Sequence, residues 1–203
     1  MPFVDLLTSQ LIVLGFAGFI LLYIIIESYL IYRSGKKSTE SMRSGFLPLA
    51  LLGGYIFLTG LYGQFFWPLP GSYNILFYDI YPLVGLIFIG TAWAMRIKSQ
   101  LRFIGILSLL LGAVAIYYGI TGYDLNFTSA PIALLGLYSS FGIVGILGYP
   151  VSLMIDRAES GIKNRSIAWV AVIAIFCVFL FLGSALALFI ASSAVPQHLL
   201  NTP

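Results

Sequence analysis

Six long apolar runs make up most of this chain and restrict its fold more than any other feature of the sequence. They cover residues 11–32, 46–67, 75–95, 103–123, 131–155 and 167–194. A helix of about 20 residues crosses the roughly 30 Å hydrocarbon core of a bilayer, so each run is long enough to span one. The runs do not alternate apolar and polar residues as barrel strands do. The sequence therefore predicts an all-α fold, an integral membrane bundle of six transmembrane helices in one domain covering residues 1–203.

The composition supports a lipid environment. Hydrophobic residues make up 60% of the chain and charged residues only 8%, whereas soluble globular proteins contain about 25% charged residues. All ten basic residues lie between the apolar runs, and together with the seven acidic residues they give a net charge of +3. We therefore expect the lipid bilayer to be a partner of this chain, and we do not expect nucleic acid to be one.

The positions of the basic residues predict the orientation in the membrane. All ten lie in the first, third and fifth links between the runs, namely Arg33, Lys36, Lys37, Arg43, Arg96, Lys98, Arg102, Arg157, Lys163 and Arg165. Links rich in Lys and Arg stay in the cytoplasm. An even number of spans places both termini on one side. We therefore predict a multi-pass protein of the cell membrane with both its N- and C-termini extracytoplasmic.

The scarcity of cysteine and histidine excludes several kinds of chemistry. Cys177 is the only cysteine and His198 the only histidine. The chain alone therefore builds no disulfide, no Cys or His metal cluster and no haem site with two axial histidines. Ser72 has no histidine, lysine or cysteine nearby to activate it. We expect no catalytic residue, no metal and no cofactor, and we expect that the protein is not an enzyme.

The stretch Gln64–Pro82, Q-F-F-W-P-L-P-G-S-Y-N-I-L-F-Y-D-I-Y-P, covers the end of the second run, the link and the start of the third run. Its two early prolines stiffen the link, and a glycine permits a tight turn. One interpretation is an amphipathic connector that lies in the membrane interface. The other is an aromatic-walled cap over a cavity. The candidate polar or ligand-binding residues in this stretch are Gln64, Trp67, Tyr73, Asn74 and Asp79.

Two acids within the apolar runs are further candidates, because a charge at the bilayer centre costs at least about 2.5 kcal/mol. Asp79 either caps the third helix through its carboxylate or lies inside the membrane on a solute path. If the helix starts at Asp79, the remaining run is short for a bilayer, and the residues before it must dip into the membrane. Glu27 lies six residues before Arg33, and it either reaches the inner interface or serves an ion or proton path.

The link after the fourth run contains a glycosylation sequence, Asn126-Phe127-Thr128. Because this link is predicted to face outward, Asn126 is a predicted glycosylation site. A second sequence of this kind, at Asn164, falls in a link predicted to face the cytoplasm, where it is expected to be silent.

A glycine pattern in the second run recurs in the fourth. Gly53, Gly60 and Gly63 correspond to Gly112, Gly119 and Gly122 at a constant offset of 59 residues. The glycines either permit close helix packing only, or they mark a duplicated hairpin that comprises runs two and three and runs four and five. A duplication would suggest the pseudo-symmetric packing that transporters use around a central site.

The segment W-P-L-P-G-S-Y-N at residues 67–74, with T-G-L-Y-G before it at residues 59–63 and F-Y-D after it at residues 77–79, resembles an uncharacterised family of prokaryotic, mainly archaeal, membrane proteins catalogued as domain of unknown function 981. The resemblance covers nearly the whole chain. It implies a multi-pass membrane fold in an archaeal cell membrane. It implies no activity and assigns no role to any residue.

Three functions are compatible with the sequence. The first is a small permease or channel-like protein in which Glu27, Asp79 and the glycine-lined helices form a path, completed if necessary by a homo-oligomer. The second is an accessory subunit of a larger membrane complex. The third, a membrane enzyme acting on lipid, fits least because no nucleophilic or metal constellation is present. We adopt the first, with the accessory subunit as the alternative.

Overall fold

The computed structural model describes residues 6–34, 45–159 and 167–200. The helices are α1 (Leu6–Ser34), α2 (Phe46–Phe66), α3 (Ser72–Tyr78), α4 (Tyr81–Arg96), α5 (Arg102–Asp124), α6 (Pro131–Glu159) and α7 (Ile167–Leu200). Strands are absent from these ranges. With α3 and α4 taken as one interrupted span, six helical segments of the described chain are long and apolar enough to cross a membrane. The predicted all-α class with six membrane-spanning segments is confirmed.

Some residues used to predict the orientation lie outside the described ranges. They are Lys36, Lys37, Arg43, Lys163 and Arg165.

The six spans form a ring in which segments that follow one another in sequence are neighbours. The pairs α5–α6, α2–α4 and α1–α7 pack most extensively, and α6–α7 and α1–α2 pack less extensively. Contacts between α4 and α5 are sparse. The ring therefore has one loosely packed boundary, which we call the α4–α5 seam.

The outer surface of the ring is apolar. Large hydrophobic side chains are exposed on every span, for example Phe16, Leu58, Leu86, Leu110, Ile132 and Phe189. Contiguous apolar surface on this scale is unfavourable in water and typical of contact with lipid. The lipid bilayer is therefore the environment that this surface fits.

Glycine residues determine how closely the two helices of each hairpin pack against each other. A Cβ atom on any glycine of the α2 triad or the α5 triad would clash with the returning helix of its own hairpin. The nearest neighbours of Gly53, Gly60 and Gly63 are Phe88, Pro82 and Tyr78, and those of Gly112, Gly119 and Gly122 are Gly142, Tyr138 and Leu134. Close backbone approach replaces the hydrophobic driving force that lipid does not provide. The two triads thus have the same packing role, as a duplicated hairpin would require.

The third span is interrupted between α3 and α4. Pro82 occupies the first turn of α4. Because proline has no N–H, it cannot donate to the carbonyl of Tyr78, and its ring disfavours a continuous helix there. Asp79 and Ile80 form the break. The apolar segment nevertheless extends from Ser72 to Arg96, so α3 forms part of the span.

Candidate functional site

A cavity of about 190 Å³ lies inside the ring. Every span except α2 contributes to its described lining. Along α1 it extends from Leu7 to Ile25, a distance of about 27 Å at 1.5 Å per residue. Phe77 and Ile80 line the end near α3, which we call the α3 end, whereas Leu101 lines the opposite end. The cavity is therefore narrow and runs through most of the height of the bundle.

The cavity wall is chemically apolar. Most of its described lining residues are aliphatic or aromatic, and the hydroxyl groups among them donate to backbone carbonyls. Thr91 donates to Ile87 O at 2.7 Å, Ser108 to Gly145 O at 3.0 Å, Ser152 to Tyr149 O at 2.7 Å, Tyr81 to Gln10 O at 3.0 Å, and Tyr138 to Leu76 O. These hydroxyl protons are therefore not available to a solute. The wall favours hydrocarbon over water or ions.

Gln10 differs from the other polar lining residues. Its side chain is 2% exposed, and its Nε2 has no hydrogen-bond partner within the described part of the chain. The hydroxyl of Tyr78, which is fully buried, is likewise without a partner there. The two groups lie close enough to interact weakly, but neither completes a hydrogen bond. Each costs about 1–3 kcal/mol if it remains unsatisfied, so the pair is the main unexplained polar feature at the α3 end.

Asp79 connects two spans across the seam. Tyr118 of α5 donates from its Oη to Asp79 Oδ2 at 2.8 Å. The N-cap of α4 is Ile80, and no side chain caps this helix. The capping interpretation of Asp79 is therefore wrong, because its carboxylate accepts from α5 instead. Asp79 is half-buried and is not among the residues that line the cavity.

Asn74 fixes the α2–α3 link to the end of α2. Its side chain is 1% exposed. Nδ2 donates to Gly63 O at 3.0 Å, and Oδ1 accepts from Leu69 N at 3.2 Å. Trp67 also donates its backbone N–H to Gly63 O and adopts a left-handed conformation with φ of 48°. The Asn74 amide therefore binds the backbone of the link, and it does not line the cavity.

The other candidates in this stretch lie on the surface. Gln64 and Trp67 are exposed, and neither lines the cavity. The Tyr73 ring is also exposed and lies with its centroid 6.1 Å from that of Phe127 in the α5–α6 link. The stretch does cover one end of the cavity, but its contribution comes from Phe77 and residues after it rather than from these polar groups.

Two candidates lie away from this stretch. Glu27 is half-buried on α1 and does not line the cavity. Ile25, two residues earlier on α1, does line it. Asn126 is exposed in the α5–α6 link and has a φ of 50°. The structure therefore does not bring Glu27 and Asp79 together along one internal path.

Two important residues do not stand out in the sequence. Asp156 of α6 accepts from Leu101 N at 2.8 Å through Oδ1 and from Arg102 N at 3.1 Å through Oδ2. It thereby caps α5 from another helix, where a carboxylate also interacts favourably with the helix dipole. Gln10 was missed because it directly precedes the first apolar run. A polar residue at that boundary could indicate a functional side chain, but a polar residue is also ordinary at the start of a membrane-spanning helix.

Metal binding finds no support in the part of the chain that the structure covers. The described residues contain no group of three or more His, Cys, Asp or Glu side chains that could hold an ion. The arrangement can sequester an apolar group in a cavity whose lining includes Gln10.

Comparison with known proteins adds a family but no activity. The family model described as "Protein of unknown function (DUF981)" matches residues 1–201. No curated protein and no solved structure matches the chain. The residues that line the cavity are therefore the evidence for its role.

Proposed function

This chain belongs to the DUF981 family of proteins of unknown function, and we propose that it is a small permease-type membrane protein that binds a lipophilic solute in its central cavity. The observation that carries this proposal is a narrow apolar cavity that extends between the two ends of the bundle. Binding pockets in proteins are generally concave, mostly apolar and equipped with few polar groups. This cavity has that character.

An aqueous or ionic channel fits the cavity less well. Ion paths require carbonyl groups or charged side chains along the pore. The wall hydroxyls already donate to the backbone, and neither Glu27 nor Asp79 is a lining residue. A lipophilic solute requires no such groups, which favours a permease over a channel.

The α4–α5 seam supplies an entrance from the bilayer. Both helices line the cavity, and their contacts with each other are sparse. A Cβ atom placed on Gly90 would find only Ile104 within 4 Å, at an ordinary distance of 3.6 Å. The seam therefore has room for small adjustments in this region, and a solute dissolved in lipid can enter between the helices.

The proposed orientation follows from charge. Arg96, Lys98 and Arg102 are exposed in or beside the α4–α5 link, which supports a cytoplasmic position for this link. Both termini and the α3 end of the cavity are then extracytoplasmic. The proposed location is an archaeal cell membrane, as the family resemblance implies, and the proposed role is not enzymatic.

The accessory-subunit alternative has one observation in its favour. Tyr62 and Phe66 stack with ring centroids 4.7 Å apart, and Phe65 beside them is 81% exposed. These rings can anchor the protein in the membrane interface or contact a larger partner.

Vesicles that contain the purified protein test the proposal. The measurement is the transbilayer movement of a fluorescent single-chain lipid, read from the fraction that a membrane-impermeant quencher reaches. The native chain should accelerate this movement. Val84→Phe, which fills the cavity, should slow it, whereas Leu83→Phe on the exposed side of the same helix should not.

Movement no faster than in protein-free vesicles would refute the permease function. If the protein also always purified with one larger partner, the accessory-subunit alternative would be favoured instead.

A further inference from the structure

We propose that the cavity binds an amphiphile with a single hydrocarbon chain and an uncharged head, and that Gln10 Nε2 donates a hydrogen bond to an oxygen of that head. This proposal names the class of solute for the proposed function. It rests on the proposed function only because both concern the same cavity. Binding of this kind requires no transport.

The shape of the cavity argues for a single chain. Its volume of about 190 Å³ exceeds the roughly 150 Å³ of an apolar cavity that admits benzene. It is smaller than the roughly 300 Å³ at which drug-sized pockets begin. This volume is distributed along most of the height of the bundle, from Leu7 to Ile25 on α1. A slender alkyl or isoprenoid chain fits this shape, whereas a compact polycyclic solute or a two-chain lipid does not.

The polar end argues for a head that accepts hydrogen bonds. Gln10 lines the cavity at its α3 end, and its buried Nε2 carries two protons without an acceptor among the described residues. The Tyr78 hydroxyl beside it is a second buried group without a partner there. A carbonyl or hydroxyl oxygen on the ligand would satisfy the amide and remove its desolvation penalty.

The charges argue for an uncharged head. Asp79 lies at the α3 end, in the break that adjoins the cavity-lining residue Ile80. The described Lys and Arg side chains belong to the opposite end of the spans, at Arg33, Arg96, Lys98, Arg102 and Arg157. An anionic head beside Gln10 would thus lie at the end of the bundle that holds the Asp79 carboxylate and no described Lys or Arg side chain. The site therefore discriminates against carboxylates and phosphates.

A binding experiment with three radiolabelled probes tests the inference. The full chain, purified in detergent, is titrated with monoolein, with oleate at alkaline pH, and with hexadecane. Monoolein has a neutral ester head, oleate has the same chain with an anionic head, and hexadecane has no head. Monoolein should bind at least about tenfold more tightly than either of the other two, because only its head is uncharged and accepts the hydrogen bond from Gln10. A factor of ten in affinity corresponds to about 1.4 kcal/mol.

Substitutions then assign the selectivity to Gln10. Gln10→Met keeps the length of the side chain and removes the amide, so it should weaken monoolein binding about tenfold and leave hexadecane binding unchanged. Gln64→Met is the matched control, because Gln64 is exposed and does not line the cavity. Should Gln10→Met fail to fold, Val84→Phe provides the second variant, and it should reduce the binding of all three probes.

Equal affinity for monoolein and oleate would overturn the inference, as would an unchanged monoolein affinity in Gln10→Met. Binding of none of the probes by the native chain would also overturn it. Selective binding of monoolein without transbilayer movement would support the inference while refuting the permease function. Transbilayer movement with no dependence on Gln10 would do the reverse.

Discussion

Tyr118 donates a hydrogen bond of 2.8 Å to Asp79, and this bond joins α5 to the break between α3 and α4. It crosses the seam where the two neighbouring helices otherwise make few contacts. Hydrogen bonds to charged groups contribute about 1.5–3 kcal/mol. The bond therefore reinforces the seam at the α3 end of the cavity, where Ile80 also packs against Leu111 and Ala115.

Replacing Tyr118 with Phe removes the hydroxyl that donates this bond and keeps the aromatic ring, so it should loosen the seam without leaving a hole in the packing. In Tyr118→Phe we expect a loss of stability of about 1.5 kcal/mol, since Asp79 loses a charge-assisted bond. We also expect faster transbilayer movement of the single-chain lipid. Thermal unfolding in detergent and the vesicle measurement report the two effects. Tyr117→Phe is the matched control because Tyr117 is 66% exposed, and equal behaviour of the two variants would contradict the role of the bond.

The cap that Asp156 provides to α5 should be measurable. Asp156→Ala leaves the N–H groups of Leu101 and Arg102 without the carboxylate, so we expect a destabilisation of about 1–2 kcal/mol. The control is Asp124→Ala, which removes an exposed acid from the last turn of the same helix, where a negative charge is unfavourable. Its unfolding midpoint in detergent should be unchanged or slightly raised. A midpoint for Asp156→Ala equal to that of the native chain would argue against the cap.

The glycines of the α5–α6 contact should not tolerate a methyl group. A Cβ on Gly112 would lie 2.5 Å from Gly142 O and 2.6 Å from Ile146 N. Because backbone atoms cannot move aside cheaply, Gly112→Ala should destabilise the protein by about 2 kcal/mol or more. Gly54→Ala is the control, since nothing lies within 4 Å of its Cβ position. That variant should gain up to about 1 kcal/mol from helix propensity, and chemical unfolding in detergent would separate the two.

The orientation can be tested with two equivalent substitutions. In a Cys177→Ala background, Ser99→Cys and Ser129→Cys place a thiol in the α4–α5 and α5–α6 links, where both serines are exposed. A membrane-impermeant maleimide added to intact cells should label the cysteine at 129 and not the one at 99, because basic links remain in the cytoplasm. Labelling of the cysteine at 99 alone would invert the proposed topology.

The spans were predictable from the sequence because they depend on local composition. A run of apolar residues needs no distant partner to favour lipid. The break before Pro82 was not predicted, although it also has a local cause in one missing N–H. The hydrogen bonds of the site depend instead on residues far apart in the chain. Asp156 and Leu101 are 55 residues apart, and no local pattern relates them. Asp79 was recognised as unusual, but its partner Tyr118 belongs to another span and was not predicted.

The cavity was the least predictable feature for the same reason. Its lining combines residues from five of the six spans, and each of these residues fits an ordinary apolar helix face. Gln10 stands out only when the ring is assembled, since its amide is then buried without a partner in the described structure. The polar residues of the α2–α3 link were more conspicuous in the sequence, yet Asn74 binds the link itself.

The seam between α4 and α5 is held by few contacts. The α2–α3 link, in contrast, is attached to the end of α2 by the bonds of Asn74 to Gly63 and Leu69. Under the proposed function, a solute that enters through the seam comes from the membrane and not directly from the surrounding solution. Its rate of entry then follows its concentration in the lipid, so at a given aqueous concentration the rate increases with the partition coefficient. Two solutes with equal affinity for the cavity would therefore fill it at rates set by how strongly each concentrates in the bilayer.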